Sequence, residues 1–276
     1  MTNPNNPLRQ YFRRPAIYIT LPSKGKYYPI GAVEIPEGGE IPVYPMTAID
    51  EITSKTPDAL FNGTAIAELI KSCIPAIKDP WAIPSCDLDT ILIAIRAATN
   101  GNDLDIESIC QKCEETSKYS VNLVGLLSQI SAIGYDQQLE VRDLSIKFKP
   151  LDYKHVNQSN LDQFEIQRQI NQLESVEDQE VRGTQSTALL KKLTTMNVSL
   201  ILDTIESVNT PNETVSEKEF ISEFLRGCDK NTFDIIRNHV VKLRDSSTVK
   251  PLKITCVSCS NEYEQQLALN VTDFFE

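Results

Sequence analysis

The first third of the chain passes from alternating apolar positions to a helical period. Ile17, Ile19 and Leu21 alternate with polar residues, which predicts a half-buried strand ending at Pro22. Further short strands are predicted over 33–35 and 41–44, because a Gly-Gly pair between them is a hairpin signal. From Thr47 onward, apolar residues recur at helical spacing. Helices are predicted from residue 47, over 57–61, over 64–73 and over 87–99.

The second half is dominated by helical periodicity between two β segments. Alternation predicts a strand at 119–123 and a strand pair over 139–148, while residues 155–245 are predicted almost wholly helical. Strands follow at 252–255 and from Tyr263 to Leu269. The predicted fold class is α+β: a mixed N-terminal half of short strands and helices, a four-cysteine zinc-ribbon-like unit, and a mostly helical insertion.

Four segments are predicted along the chain. They are a flexible arm at 1–15, a mixed α/β domain at 16–150, a helical insertion at 151–250 and a β return at 251–276. The arm is rich in Asn and Pro, and Pro150 stands where the mixed pattern gives way to helices.

Charge and hydropathy narrow the classes of function. The 276 residues carry 27 Lys and Arg against 38 Asp and Glu, a formal net charge of −11. A simple nucleic-acid binder would need a surplus of cations, so this class is disfavoured. No stretch reaches the roughly 20 apolar residues of a membrane span, and no apolar segment follows the polar start. We therefore expect a cytoplasmic chain without a membrane partner, whose seven cysteines stay reduced.

Two C-x-x-C pairs, Cys110 with Cys113 and Cys256 with Cys259, carry the strongest chemical signal. The two-residue spacer lets both thiolates of one turn bind a single cation at about 2.3 Å. Two such turns supply a tetrahedral shell of four thiolates, which suits Zn²⁺. A closed shell leaves no open coordination position, so the predicted zinc is structural rather than catalytic.

Two features depart from the usual zinc ribbon. The pairs are separated by 142 residues, far beyond the usual spacing of about 15–20. Glu114 and Ser260 follow the pairs, where glycine would ease a left-handed turn. A dithiol oxidoreductase and plain reduced cysteines are the alternatives, although a reactive pair should open a helix and each pair here is followed by a strand pattern. Cys73, Cys86 and Cys228 are predicted to be packing residues.

The sequence shows no carrier of catalysis. Its two histidines, His155 and His239, have no cysteine, serine or carboxylate constellation beside them, and His239 is predicted on a helix surface. Neither a G-x-S-x-G elbow nor a phosphate-binding glycine loop is present. We expect a protein that is not an enzyme and has no small-molecule substrate.

A succession of short blocks in the first half resembles the baseplate hub family of T4-like contractile-tailed phages. The resemblance covers residues 16–126, and beyond residue 150 only the second C-x-x-C pair matches. The blocks lie at 19–29 (ITLPSKGKYYP), 45–51 (PMTAIDE), 57–63 (PDALFNG), 72–75 (SCIP), 79–80 (DP) and 87–99 (DLDTILIAIRAAT).

The resemblance implies a non-enzymatic component, or an assembly factor, of the central hub of a phage tail baseplate. Its implied partners are other hub proteins, and its implied place is the host cytoplasm during assembly or the tail baseplate of the virion. The residues themselves suggest a contact for such a partner at Lys24, Lys26, Tyr27 and Tyr28, because Tyr and cations in one turn are typical of interfaces. The alternatives are a zinc-ribbon regulatory protein that binds polymerase or nucleic acid, and the dithiol oxidoreductase.

Overall fold

A computed structural model describes residues 6–56, 62–130, 133–173 and 178–267. The helical piece predicted over 57–61 and the end of the last predicted strand at Leu269 lie outside these residues. Contacts group the chain into two compact units, Met1–Pro80 with Leu88–Ile130 and Val249–Glu276, and Trp81–Asp87 with Ser131–Thr248. The four segments drawn from the sequence stay a prediction.

The first unit contains three small antiparallel sheets and short helices. Strand β1 (Ile17–Ile19) pairs with β2 (Ile41–Val43), as the alternation predicts. The strand predicted at 33–35 is reduced to one bridge between Val33 and Ile77. Its helices are α1 (Ala48–Ser54), α2 (Thr64–Cys73), α3 (Ser85–Asn100), whose first residues count with the second unit, and α4 (Leu123–Leu127).

Apolar side chains of β2, α2 and α3 form the core of this unit. Ile41, Val43, Ile70 and Ile93 have no exposed surface. Backbone hydrogen bonding ties these elements together, because the Tyr44 amide donates to the carbonyl oxygen of Cys73 over 2.8 Å. Burial of this apolar surface, rather than the short strands themselves, therefore holds the unit together.

Arg13, predicted to lie in a loose arm, is instead anchored to the core of the first unit. Its guanidinium donates to the carbonyl oxygens of Pro45 and Ser72 over 2.6 and 2.8 Å, and to the Ser72 hydroxyl over 2.9 Å. It also pairs with the Asp50 carboxylate over 3.3 Å. The planar guanidinium can satisfy several acceptors at once, so this single side chain fixes the chain entering β1.

Two further hairpins in the first unit bring the ends of a long excursion together. Strand β3 (Asp103–Ile109) pairs with β4 (Thr116–Asn122), and β9 (Leu252–Thr255) pairs with β10 (Glu262–Gln265). The segment before β9 is held at Val249, whose amide donates to the Asp89 carboxylate of α3 over 3.1 Å. Burial raises the pKa of Asp89, although this hydrogen bond acts to lower it.

The second unit consists of a four-stranded antiparallel sheet and four long helices. The sheet order is β5-β6-β7-β8, with β5 (Leu139–Val141), β6 (Leu144–Phe148), β7 (Ile205–Asn209) and β8 (Thr214–Val215). Its helices are α5 (Tyr153–Leu173), α6 (Gln179–Thr204), α7 (Lys218–Gly227) and α8 (Lys230–Ser246). The predicted strand pair at 139–148 is confirmed, whereas β7 and β8 interrupt the run predicted to be helical.

β7 and β8, which lie within the run predicted to be helical, form strands because each pairs with a neighbouring strand. β7 pairs with β6, and Ile205 and Val208 are buried. Residues 205–209 follow the last turn of a long helix without a glycine or proline to mark the change. Long-range pairing therefore overrides a local pattern that continues the helical period.

The segment 81–87 belongs to the second unit through hydrogen bonds to the start of α5. The Tyr153 amide donates to the Ile83 carbonyl oxygen, and the Ser85 amide donates to the Leu151 carbonyl oxygen, each over 2.7 Å. Trp81 stacks on Tyr153 with ring centroids 5.2 Å apart. The backbone bridge between residues 84 and 152 and the stacked pair of aromatic rings thus attach residues 81–87 to the second unit.

The predicted fold class is confirmed. The described residues form a mixed α+β structure of eight α-helices and small antiparallel sheets, with a cluster of four cysteines in the first unit. Among these residues, every helix is too short or too polar to span a bilayer.

His239, which is predicted on a helix surface, lies half-buried on α8. Its ring packs against Phe148 of β6, with centroids 4.9 Å apart, and its Nε2 atom is buried without a hydrogen-bond partner in the described residues. Burial, and secondarily the charge of Lys242, lowers the pKa of His239. Helical spacing alone does not reveal this packing, because Phe148 lies in a strand 91 positions earlier.

His239 gives the second unit an acid-dependent stability. The unfolded histidine binds a proton near its ordinary pKa of about 6.5, while the folded one resists it, so the free energy of unfolding should fall as pH decreases through that value. Urea unfolding at a series of pH values between neutral and mildly acidic measures this slope. We expect the slope to become shallower in His239→Gln and to persist in His155→Gln. Equal slopes in wild type and His239→Gln would contradict the assignment.

Candidate metal centre

The two C-x-x-C pairs occupy equivalent turns of two β-hairpins. In the first hairpin the last paired residues are Ile109 and Thr116, and in the second they are Thr255 and Glu262. Each turn therefore has six residues, with cysteines at its first and fourth positions. We call the two hairpins together, residues 103–122 and 252–265, the ribbon.

The backbone of the two turns is folded in the same way. The Glu114 amide donates to the Cys110 carbonyl oxygen over 2.8 Å, and the Ser260 amide donates to the Cys256 carbonyl oxygen over 2.9 Å. Glu114 and Ser260 adopt left-handed conformations, with φ of 58° and 54°. The turns thus take the conformation that glycine would ease, and they take it with residues that pay a steric cost.

The four sulfur atoms meet in one place. Their Sγ atoms all lie within 4.8 Å of one another. Across the hairpins, Cys110 lies 3.7 Å from Cys259, and Cys113 lies 3.6 Å from Cys256. A tetrahedral ion with metal–sulfur bonds of about 2.3 Å separates its ligands by about 3.8 Å, so the donor set fits a metal such as zinc. The cysteines form no disulfide.

The thiols of the shell resist ionising together. Backbone N–H groups of Cys113 and then Lys112 lower the pKa of Cys110 to about 6. The Glu115 N–H lowers the pKa of Cys113, but hydrogen bonding to the Cys259 sulfur and desolvation outweigh it and raise that pKa to about 12. One thiolate therefore disfavours the next, and a bound cation would remove this repulsion.

Hydrogen bonds between polar side chains help to join the two hairpins. The Ser108 hydroxyl donates to the Gln265 amide oxygen and accepts from the Tyr263 hydroxyl, each over 2.9 Å. The Tyr119 hydroxyl donates to the Thr255 carbonyl oxygen over 3.3 Å. Every residue of β4 is at least partly exposed. The sequence pattern gave the strands but not this hydroxyl network, since Ser108 has no motif of its own.

The surroundings of the shell argue against the two alternative chemistries. The ribbon has seven carboxylates and three cations, so it would repel a nucleic-acid backbone. Both cysteine pairs lie between antiparallel strands, whereas a reactive dithiol is activated at the start of a helix. The geometry therefore favours a metal-binding role over a redox role.

The remaining cysteines lie apart from the shell. Cys73 and Cys86 are buried, and burial raises the pKa of both thiols, that of Cys73 to about 12. Cys228 is half-buried at the end of α7 and its pKa is also raised, first by desolvation. Their placement agrees with packing.

The turn predicted as a partner contact has an ordered backbone. Lys24 and Gly25 adopt left-handed conformations, and a Cβ at Gly25 would be strained and would lie 2.4 Å from the terminal methyl of Ile35. Lys24 and Lys26 are exposed, whereas Tyr27 and Tyr28 are half-buried. The Lys26 ammonium lies 5.7 Å from the Tyr27 ring centroid, and the Tyr28 hydroxyl oxygen is buried. The lysine side chains of this turn are therefore more accessible to a partner than its tyrosine hydroxyls.

Fold and site together define a class: a mixed α+β protein whose two distant cysteine knuckles form a candidate structural metal centre. The family model described as T4 bacteriophage base plate protein matches residues 17–276, and the chain belongs to this family. No curated protein and no solved structure gives a significant match.

The left-handed residue after each cysteine pair gives a backbone prediction. Glu114→Gly should raise the free energy of unfolding by about 0.5–1 kcal/mol, because the relief of about 1–2 kcal/mol of steric cost exceeds the stabilisation of the unfolded chain by the added freedom of glycine, about 0.4–1 kcal/mol. Chemical denaturation measures the change. The neighbouring Glu115→Gly, where φ is not positive, is the matched control and should destabilise. Destabilisation by both variants would contradict the argument.

Proposed function

We propose that the protein is a non-enzymatic component, or assembly factor, of the central hub of a contractile-tailed phage baseplate, and that it acts through contacts with other hub proteins. The family match over residues 17–276 carries this proposal. The short blocks between residues 19 and 99 support the hub role in particular, since they are the part of the sequence that resembles hub proteins.

The arrangement of polar side chains supports a role without catalysis. A shell of four sulfurs leaves no open position at a metal for substrate or water. His239 is packed against Phe148, and His155 is hydrogen-bonded to the neighbouring Asp152 over 2.6 Å. The function is therefore assigned to surfaces rather than to an active site.

The metal proposed for the shell is Zn²⁺, held by Cys110, Cys113, Cys256 and Cys259. Four thiolates favour zinc over the hard cations, and zinc supplies a crosslink without redox chemistry. Because every residue of β4 is at least partly exposed, much of the binding free energy should appear as folding free energy of the ribbon.

The exposed cations Lys24 and Lys26 are proposed as part of a protein contact. The fixed backbone at Gly25 presents them without the entropy cost of ordering a loose loop. Tyr27 and Tyr28 contribute their half-exposed ring surfaces to the same contact.

The zinc proposal predicts the metal content of the purified protein. Elemental analysis of protein prepared without chelators should find about one zinc per chain, and Cys110→Ser and Cys256→Ser should each lose it and unfold at lower temperature. Cys228→Ser removes a thiol outside the shell and should keep the zinc. If only one of the two substitutions released zinc, and the protein reduced insulin through its thiols, the dithiol oxidoreductase would be supported instead.

The hub proposal predicts the product of an infection that lacks this protein. Cells infected with a phage carrying a nonsense codon at position 17 should accumulate heads and incomplete baseplates, seen by electron microscopy, and the wild-type gene supplied in trans should restore tailed particles. Mass spectrometry of purified virions and of lysate then separates a subunit, present in both, from an assembly factor, present in lysate alone. Normal yields of tailed virions in the nonsense infection would contradict the proposal.

A further inference from the structure

The charge of the chain is strongly segregated along its length. Residues 1–33 contain five Lys and Arg and no carboxylate, while residues 34–276 contain 22 Lys and Arg against 38 Asp and Glu. The net charge of −11 therefore conceals a basic beginning on an acidic protein. Such segregation is typical of a chain that uses one part for electrostatic recognition.

The basic beginning also exposes several large apolar side chains. Tyr11 and Tyr18 are 76% and 61% exposed, and Ile30 is fully exposed. Arg14 and Lys24 lie among them and are exposed. We call these five residues the cationic face.

The cationic face is held in a defined conformation. Arg13 anchors the chain between Tyr11 and Arg14, β1 fixes Tyr18 on its exposed side, and the left-handed turn fixes Lys24. A preordered surface of aromatic, aliphatic and cationic groups loses little entropy on binding. Exposed aliphatic side chains suit a protein partner better than a nucleic acid, whose bases stack on aromatic rings.

The ribbon has the complementary properties. Ile109 and Val257, beside the two cysteine knuckles, are 63% and 77% exposed. Glu114 and Glu115 lie in the first knuckle turn and are exposed, and the exposed Glu107 of β3 is ion-paired with Lys118 over 3.3 Å. A zinc ion with four thiolates would add a further charge of about −2. The ribbon thus offers apolar groups within a negative field, where the cationic face offers them within a positive one.

Within one molecule these two surfaces are not paired by charge. None of the ion pairs among residues 6–56, 62–130, 133–173 and 178–267 joins Arg14 or Lys24 to a ribbon carboxylate. We propose that the cationic face of one copy docks on the ribbon of a second copy, so that the chain associates head to tail. This inference rests on the proposed role of the Lys24 turn as a protein contact and names a second copy as its partner.

Head-to-tail contact has two structural consequences. Because the two surfaces differ, the contact is heterologous, and repeated contacts close into a ring or extend as a filament. Because opposite charges meet at it, the association should weaken as salt screens them.

Sedimentation equilibrium of the purified full-length, zinc-loaded chain tests the proposal. We expect self-association at about 50 mM NaCl that weakens at least about tenfold at about 500 mM. Arg14→Glu with Lys24→Glu should weaken it by about tenfold or more. The control Lys191→Glu with Lys230→Glu makes the same change of charge on exposed positions of the second unit, and it should leave association intact.

Charge reversal on the ribbon is the decisive part of this experiment. By itself, the Glu107→Lys, Glu115→Lys variant should also fail to associate. Mixing it with the Arg14→Glu, Lys24→Glu variant should restore a hetero-complex, because each reversed surface then faces a surface of opposite charge. A monomeric wild type, equal loss in the Lys191, Lys230 control, or no restoration in the mixture overturns the inference. None of these results bears on the nonsense-infection experiment, so failure here leaves the hub proposal standing.

A crosslinking measurement keeps the test independent of how the variants fold. A zero-length carbodiimide joins lysine amines to carboxylates, and a mixture of ¹⁴N- and ¹⁵N-labelled wild-type chains identifies links between copies. We expect mixed-isotope links from Lys24 to Glu107, Glu114 or Glu115. Links between copies that never involve Lys24 and the ribbon overturn the inference.

Discussion

The ribbon depends on the meeting of two cysteine pairs that the chain separates by 142 residues. Holding the two ends of so long a segment together costs conformational entropy. This cost grows only slowly with the length of the segment, but contacts between the two hairpins must offset it. Side-chain hydrogen bonds between the hairpins involve a buried serine, two tyrosines and a glutamine. A two-stranded hairpin is marginal by itself in water, so a metal crosslink is the strongest interaction open to the ribbon.

The same constraint explains why the knuckle turns tolerate an unfavourable backbone. Glu114 and Ser260 occupy left-handed conformations at a cost of about 1–2 kcal/mol each, and the cost persists because the following strand must pair in register. The amides made available by the turn point toward the thiolate of Cys110, where they stabilise negative charge. Asn261 adds a donor 4.0 Å from the same sulfur. Backbone strain and ligand electrostatics are thus coupled in one turn.

The sequence predicts the ligands of this centre better than it predicts their support. Cysteine spacing and flanking alternation point to Cys110, Cys113, Cys256 and Cys259 because both signals are local. Ser108 is not recognisable, since its importance comes from side chains more than 150 positions away. The same holds for Arg13, whose acceptors are backbone carbonyls that leave no trace in residue type. In the second unit, β7 and the partner of His239 were missed for the same physical reason, because pairing across the sheet decides them.

The distribution of charge decides what kind of surface this metal centre can serve. In a ribbon rich in lysine, a zinc–thiolate unit would be surrounded by cations and could approach phosphates. Here three cations face seven carboxylates, and four thiolates around a divalent ion deepen the negative potential rather than cancel it. A closed coordination shell excludes substrate, and a negative potential excludes nucleic acid. The first 33 residues, with five Lys and Arg and no carboxylate, carry the opposite charge.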